Sequence, residues 1–166
     1  MPGPVEELFQ QAYREHAGLM VRTARAFAPG AADHDDLFQE MLVALWQALP
    51  HFKGQAKLST YVYRVAHSTA LNWKRSRQRY ARKLEGYAIT PHVLDPATSP
   101  RDRERLDWLY ARIRELPPAD RTLLLLYLDQ LSYAEIAEIT GLTETNIGAR
   151  LHRLKQQLSA QTKTLA

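Results

Sequence analysis

A chain of 166 residues, 45% of them apolar, is long enough for one domain or two small ones with a true core. It contains no cysteine, which excludes disulfides and thiolate chemistry; its formal net charge of +4 is modest, so where the charge gathers matters more than the total. The Met1 end shows no basic-then-apolar leader and no run approaches the roughly 18 apolar residues of a membrane span, so the expectation is a soluble, cytoplasmic protein without direct membrane insertion.

Val5–Phe27 reads as a first helix, with Val5, Leu8, Phe9, Ala12, Leu19 and Met20 as its apolar stripe, ended by Pro29-Gly30. Asp33-His34-Asp35-Asp36 opens a second helix to about Leu49, with carboxylates where unpaired N–H groups and the helix dipole favour negative charge. Its stripe is Phe38, Leu42, Leu45 and Leu49, widened by Leu37, Met41 and Trp46. Pro50 and Gly54 break the pattern. Ser59 is the expected cap of a long third helix, Thr60 to roughly Leu84, with Val62, Val65, Ala66, Thr69 and Trp73 inward. None of the three helices could bury its stripe alone, so they are expected to pack as one unit.

Gly86–Arg105 holds Pro91, Pro96 and Pro100 and shows no periodicity, as expected of a flexible tether. Arg105–Glu115 carries Leu106, Leu109 and Ile113 on one face, and Pro117-Pro118 stops it. Ala119–Leu128 follows, with four consecutive leucines at Leu123–Leu126 that suit a buried helix. Ser132 and Glu135 form a capping box opening Tyr133–Ile139, and Gly141 suits the left-handed residue that closes it. Thr143 caps a last helix through Leu158, with Ile147, Leu151, Leu154 and Leu158 inward. The fold class expected is therefore all-α: a helical domain over 1–85, a linker over 86–105, and a second helical domain over 106–166.

The second domain has helix-turn-helix spacing: a short helix, a turn at Thr140-Gly141-Leu142, then a longer helix, with Ala137 small enough for the crossing and Leu142 plugging the turn. The outward residues early on the longer helix are Glu144, Thr145, Asn146, Ala149 and Arg150. Asn146 can read adenine and Arg150 guanine through paired hydrogen bonds to base edges, and Glu144 can accept from cytosine N4. Arg153 and Lys155 suit phosphate.

The first domain carries a different signal. Lys74–Lys83 holds six basic residues and no acidic one. Upstream lie Arg64 and Asn72, and Tyr61, Tyr63, Trp73 and Tyr80 add rings to the same helix. Positive charge with interspersed rings suits DNA whose bases are partly exposed, with Asn72 and Arg75 on a face that can turn outward. Trp73 alone reads as core. Gln55 and Lys57, in the loop before this helix, are placed to meet a flipped base or a displaced strand. On the second helix Asp36, Gln39, Glu40 and Gln47 rim apolar groups, which favours a protein partner. His67 reads as a partly buried, hydrogen-bonded side chain, and Asp33–Asp36 lacks a second histidine at ligand spacing. No Gly-rich phosphate loop, nucleophile elbow or carboxylate pair is present, so no catalysis, cofactor or metal is expected.

These residues resemble a known family. Asp35-Asp36-Leu37-Phe38-Gln39-Glu40, Leu45-Trp46, Phe52-Lys53-Gly54, Leu58–Ala66 and Ala70–Trp73 are similar to region 2 of the extracytoplasmic-function sigma factors of bacterial RNA polymerase, within the sigma-70 family. Leu116-Pro117-Pro118, Leu131–Ala137 and Arg150–Leu154 are similar to region 4. The resemblance implies promoter-specific transcription initiation by a factor that is a monomer when free. Asp36, Gln39, Glu40, Leu45 and Trp46 would bind the clamp helices of the polymerase largest subunit, and region 4 would bind the flap of the second-largest subunit. Gln55, Lys57, Ser59, Tyr61, Asn72, Arg75 and Arg79 would contact and help melt the −10 element of promoter DNA. Thr143, Glu144, Thr145, Asn146, Arg150 and Arg153 would read the −35 element. Many members are held inactive by an anti-sigma factor. The sequence departs from the family at Gly148-Ala149, where Lys-Ser or Arg-Ser is usual, and at Tyr61, where Trp is usual. A stand-alone helix-turn-helix regulator and an anti-sigma-binding adaptor are the competing readings; a regulator would usually need a dimerisation element, and none is evident.

Overall fold

The computed structural model describes residues 1–80 and 99–164, with side chains for all of these except 74–80 and 164. Seven α-helices stand among the described residues: α1 (Pro4–Phe27), α2 (Ala31–Ala48), α3 (Leu58–Tyr80), α4 (Pro100–Glu115), α5 (Pro118–Leu128), α6 (Tyr133–Thr140) and α7 (Glu144–Thr164), with a 3-10 turn at Leu49–His51 after α2. The Ala81–Lys83 end of the basic run, the expected end of the third helix at Leu84, and 86–98 of the linker lie outside the described residues.

α1, α2 and α3 pack against one another. Their meeting faces bury Ala12, Leu19, Met20, Leu37, Met41, Leu45, Val62, Ala66, Ala70 and Trp73. The deep register of α2 is Leu37, Met41, Leu45, one step from the expected Phe38-Leu42 line, both of which are half-buried. α2 begins after Gly30, so Asp33 sits in the first turn as a charge complement to the dipole and no side chain caps the helix. α3 starts at Leu58, so Ser59 lies inside the first turn and is not its cap.

In the second half the start of α4 is the main correction. Ser99 caps it, its hydroxyl accepting from the Asp102 N–H at 3.2 Å, and Pro100 occupies the first turn, where its missing N–H costs nothing. The helix therefore starts at Pro100, inside the stretch read as linker. α5 buries Leu123–Leu126 together with Arg121 and Thr122. Arg121 is sealed there because its guanidinium donates to the carbonyls of Leu116, at 2.8 Å, and Arg114, which the Pro117-Pro118 break leaves without helical partners. Around α6 the local chemistry matches the sequence. The Ser132–Glu135 capping box is complete, and Gly141 closes the helix at φ 77°, a left-handed value that strains any residue with a Cβ. Its N–H returns to the Ala137 carbonyl at 2.8 Å. Thr143 Oγ1 accepts the Asn146 N–H at 3.2 Å, and α7 packs on α5 and α6 through Ile147, Leu151 and Leu154.

The two halves dock. α4 and α5 lie on α1, and α6 lies on α3. Arg25 reaches Asp107 at 3.3 Å and sits over the Tyr110 ring at 4.5 Å, while Arg114 donates to the Arg25 carbonyl at 2.9 Å. No described helix is long and apolar enough to cross a membrane.

Candidate nucleic-acid interface

Three surfaces carry the residues singled out from the sequence. The first is the outer face of α2. Asp36, Gln39, Glu40, Val43, Trp46 and Gln47 are exposed at helical spacing, with Val43 at 56% and Trp46 at 47%. Trp46 stands edge-on to Phe9 of α1, ring centroids 5.3 Å apart, which fixes the indole while leaving its outer face in water. Leu45, grouped with these residues, is 0% exposed; it supports the face from beneath and offers no contact surface. Val43 is the residue that sequence reasoning passed over. Its signal was its place between Glu40 and Gln47 on the polar line, where an apolar residue needs a reason.

The second surface is the loop before α3 and the outer face of that helix. Gly54 takes φ 70°, which turns the loop and leaves Gln55 and Lys57 exposed. Ser59 is half-buried in the first turn of α3. Tyr61 is half-buried too: its hydroxyl donates to the Ala48 carbonyl at 2.7 Å and its ring lies 4.9 Å from that of Phe52. It thus anchors the loop to α2. Asn72 is exposed. Arg75 and Arg79 lie on α3, and their side chains are outside the described set. Trp73 is buried.

The third surface is the N-terminal part of α7. Glu144, Thr145, Asn146, Ala149 and Arg153 are exposed, opposite the buried line of Ile147, Leu151 and Leu154. Thr143 is engaged as the cap. Arg150 is drawn back toward α5, its Nε 3.5 Å from Asp120 Oδ1, so reading a base with it requires exchanging that partner. Lys155 lies over the Tyr127 ring at 4.2 Å, and a hydrogen bond with the Tyr127 side chain holds its pKa above the ordinary lysine value.

Gly148 has a local explanation. A Cβ there would meet the Tyr133 ring at 3.3 Å, so α6 and α7 touch through that ring. Tyr133 is exposed and can yield by a few tenths of an ångström. Gly148→Ala is therefore expected to stabilise the fold by about 0.5 kcal/mol through helix propensity, read as a higher thermal midpoint; a lower midpoint would mean the ring is fixed.

The structure also reveals a polar cluster between the halves. The Asp129 carboxylate accepts from Arg22 Nε at 2.9 Å, from Arg22 Nη2 at 3.2 Å and from the Tyr63 hydroxyl at 2.8 Å. Burial, with that hydrogen bond to Asp129, pushes the Tyr63 phenol well above its ordinary pKa. Beside it His67, 4% exposed, pairs Nδ1 with Thr122 Oγ1 at 3.1 Å and lies between the Phe27 and Tyr63 rings. Burial lowers its pKa to about 4, so it is neutral at pH 7. Farther along, Arg64 donates to the Glu138 carbonyl and Lys57 Nζ lies 3.8 Å from Glu135 Oε1. The Ser132 N–H, then the Ser132 hydroxyl and, last, Lys57 hold the Glu135 carboxyl below its usual pKa.

The arrangement, an exposed α2 face around Trp46 on the three-helix half and a helix-turn-helix in the other, can be compared with known proteins. The family profile described as Sigma-70 region 2 matches residues 12–80, and that described as Sigma-70, region 4 matches residues 106–158. The RNA polymerase sigma factor YlaC of Bacillus subtilis is 28% identical over 159 residues, covering 93% of this chain and 89% of that protein. The ECF RNA polymerase sigma-E factor of Haemophilus influenzae is 26% identical, covering 80% of this chain and 76% of that protein. Among solved structures, the sigma factor RpoE from Bartonella quintana, in complex with the anti-sigma factor NepR, aligns with a TM-score of 0.71 at 17% identity over 93% of this chain and 96% of its own. CnrH, in complex with the cytosolic domain of CnrY, aligns at 0.66 and 21% identity over 95% and 89%. With both regions matched, in order and on the two halves of the fold, the chain belongs to the sigma-70 family of RNA polymerase sigma factors, in its extracytoplasmic-function group.

Proposed function

We propose that this sigma factor carries its two readings on separate surfaces and takes its polymerase on a third. The exposed α2 face of Asp36, Gln39, Glu40, Val43 and Trp46, with Leu45 beneath, binds the clamp helices of the largest subunit, and the C-terminal half binds the flap of the second-largest. Gln55, Lys57, Asn72, Arg75 and Arg79 hold the strand-separated −10 element, with Ser59 and Tyr61 shaping the loop. Extruding bases costs a few kcal/mol, and contacts to the extruded bases offset part of it. Thr143, Glu144, Thr145, Asn146, Arg150 and Arg153 address the −35 element in the major groove. The chain performs no chemistry of its own and needs no cofactor; nucleotidyl transfer belongs to the polymerase, in the cytoplasm. An anti-sigma factor is a further partner on this reading.

The observation that carries the proposal is the pairing of an exposed recognition-helix face at Glu144–Asn146 with an exposed loop and helix face at Gln55, Lys57 and Asn72, in the order of regions 2 and 4. The test is start-site mapping on a fragmented genome with purified core polymerase and this chain. New start sites that share upstream elements are expected, with Asn146→Ala changing preference at −35 and Asn72→Ala impairing opening. No new initiation, or operator binding by the chain alone as a dimer, would reject the proposal in favour of a regulator.

A further inference from the structure

Residues four and seven apart on a helix share a face, which sets Asn146, Arg150 and Arg153 in one line on α7. Asn146 and Arg153 are exposed along that line, but the Arg150 guanidinium turns away to Asp120, Nε to Oδ1 at 3.5 Å. The two side chains are 30% and 20% exposed, so the pair is partly withdrawn from water. Asp120 stands in the first turn of α5, where the helix dipole favours a carboxylate, and α5 packs directly on α7. Between Glu144 and Leu154 the basic side chains that are charged at pH 7 are Arg150 and Arg153, and Gly148 and Ala149 supply no polar group. Asp120 therefore engages half of the positive charge on the part of α7 that enters a groove in a helix-turn-helix.

What draws Arg150 off that carboxylate differs between the parts of a duplex. A phosphate offers the guanidinium another oxyanion, so the exchange gains little, and the Asp120 carboxylate left behind is repelled by the same backbone. A guanine edge offers O6 and N7 at a spacing that matches the guanidinium fork, and it carries no charge. Specificity is a difference between affinities, and a competitor that suppresses the first exchange more than the second widens it.

We propose that Asp120 is a specificity-determining residue of the −35 reading, which competes with DNA for Arg150 and yields it to a guanine in preference to a phosphate. Over non-cognate duplex the arginine stays on α5; opposite a guanine it crosses into the groove. The inference deepens the −35 assignment made above and rests on it.

Binding of the full chain to a labelled random-sequence duplex of about 25 base pairs is measured by anisotropy between about 50 and 200 mM salt. Asp120→Asn is expected to tighten this binding by roughly three- to fivefold, the scale of a half-exposed ion pair, and to steepen the log–log salt slope by about 0.9, one further phosphate contact. The gain should vanish in Asp120→Asn with Arg150→Ala. Asp120→Glu, which keeps the charge at the start of α5, should bind as the parent does. Arg150→Ala alone should leave random-duplex binding nearly unchanged, whereas Arg153→Ala should weaken it and flatten the slope; this pair keeps the test open should Asp120→Asn lose its fold by circular dichroism. With core polymerase, start sites mapped for Asp120→Asn should relax their preference for guanine at one −35 position. Unchanged or weaker duplex binding by a folded Asp120→Asn would overturn the competition, the weaker case marking Asp120 as a support for Arg150. A gain that survives Arg150→Ala, or equal losses in Arg150→Ala and Arg153→Ala, would overturn it as well. No duplex binding by any variant would overturn it together with the −35 assignment. The expected gain and slope without initiation by core polymerase would count against the sigma-factor reading and leave the competition standing.

Discussion

Trp46→Ala is expected to weaken association with core polymerase by roughly thirty- to a thousand-fold, the equivalent of about 2–4 kcal/mol, while the fold survives. Tryptophans that are half-exposed in the free protein, held at a fixed angle and ringed by polar groups are the usual energetic centres of protein interfaces. Trp46 meets each condition: its ring is set edge-on against Phe9, Val43 lies one turn before it, and Asp36, Gln39, Glu40 and Gln47 line the same face. Removing the indole gives up the Phe9 contact, about 1 kcal/mol, and leaves no buried cavity because one side of the ring already faces water. The measurement is titration of labelled chain with core enzyme, alongside thermal denaturation of the same samples. Gln47→Ala, at the rim, should change affinity little. Full affinity in Trp46→Ala would move the polymerase surface elsewhere on the chain.

Acidification from pH 7.5 to pH 5 is expected to remove about 2 kcal/mol of folding stability through His67 alone. The native imidazole has its pKa lowered to about 4 by burial, whereas an unfolded histidine titrates near its ordinary 6.5. Between those values the unfolded chain binds the extra proton and the folded chain does not. The contribution is complete above about pH 6.5 and drains away as pH falls toward 4. Burial lowers His34 and His16 as well, so the parent alone would not isolate the effect. Denaturant unfolding of the parent and of His67→Gln at both pH values does so, because glutamine can still bond Thr122 and does not titrate. The variant should show a shallower loss on acidification; an equal loss would place the proton elsewhere.

What the sequence revealed and what it concealed divide along a physical line. Signals confined to a few consecutive residues were legible: the Ser132–Glu135 capping box, the left-handed Gly141, the Thr143 cap and the α7 stripe all stand as expected. The start of α4 was equally local and was overlooked, because Pro100 reads as a breaker unless it is set beside Ser99 and Asp102, which make it the first turn of a capped helix. Arg121 was hidden by the leucines that follow it, since periodicity has no way to count the carbonyls that a Pro-Pro break strands nearby. The docking of the halves was not legible at all. Arg22, Tyr63 and Asp129 are far apart in the chain, and each by itself is an ordinary polar residue on an amphipathic helix. The tether reading of Gly86–Arg105 therefore implied independent halves, whereas the described helices on either side of it pack together.

If the two halves read two promoter elements as proposed, the early start of α4 also sets a limit on promoter architecture. A helix advances about 1.5 Å per residue where stretched chain can advance about 3.4 Å. Having Pro100–Arg105 wound as helix thus shortens the span available between Tyr80 and the body of the second half by roughly 10 Å, about three base pairs of B-form rise. Unwinding Pro100–Arg105 would return that length, so on the proposed reading the cap of a single helix bears on how wide a spacer between two promoter elements this factor can bridge.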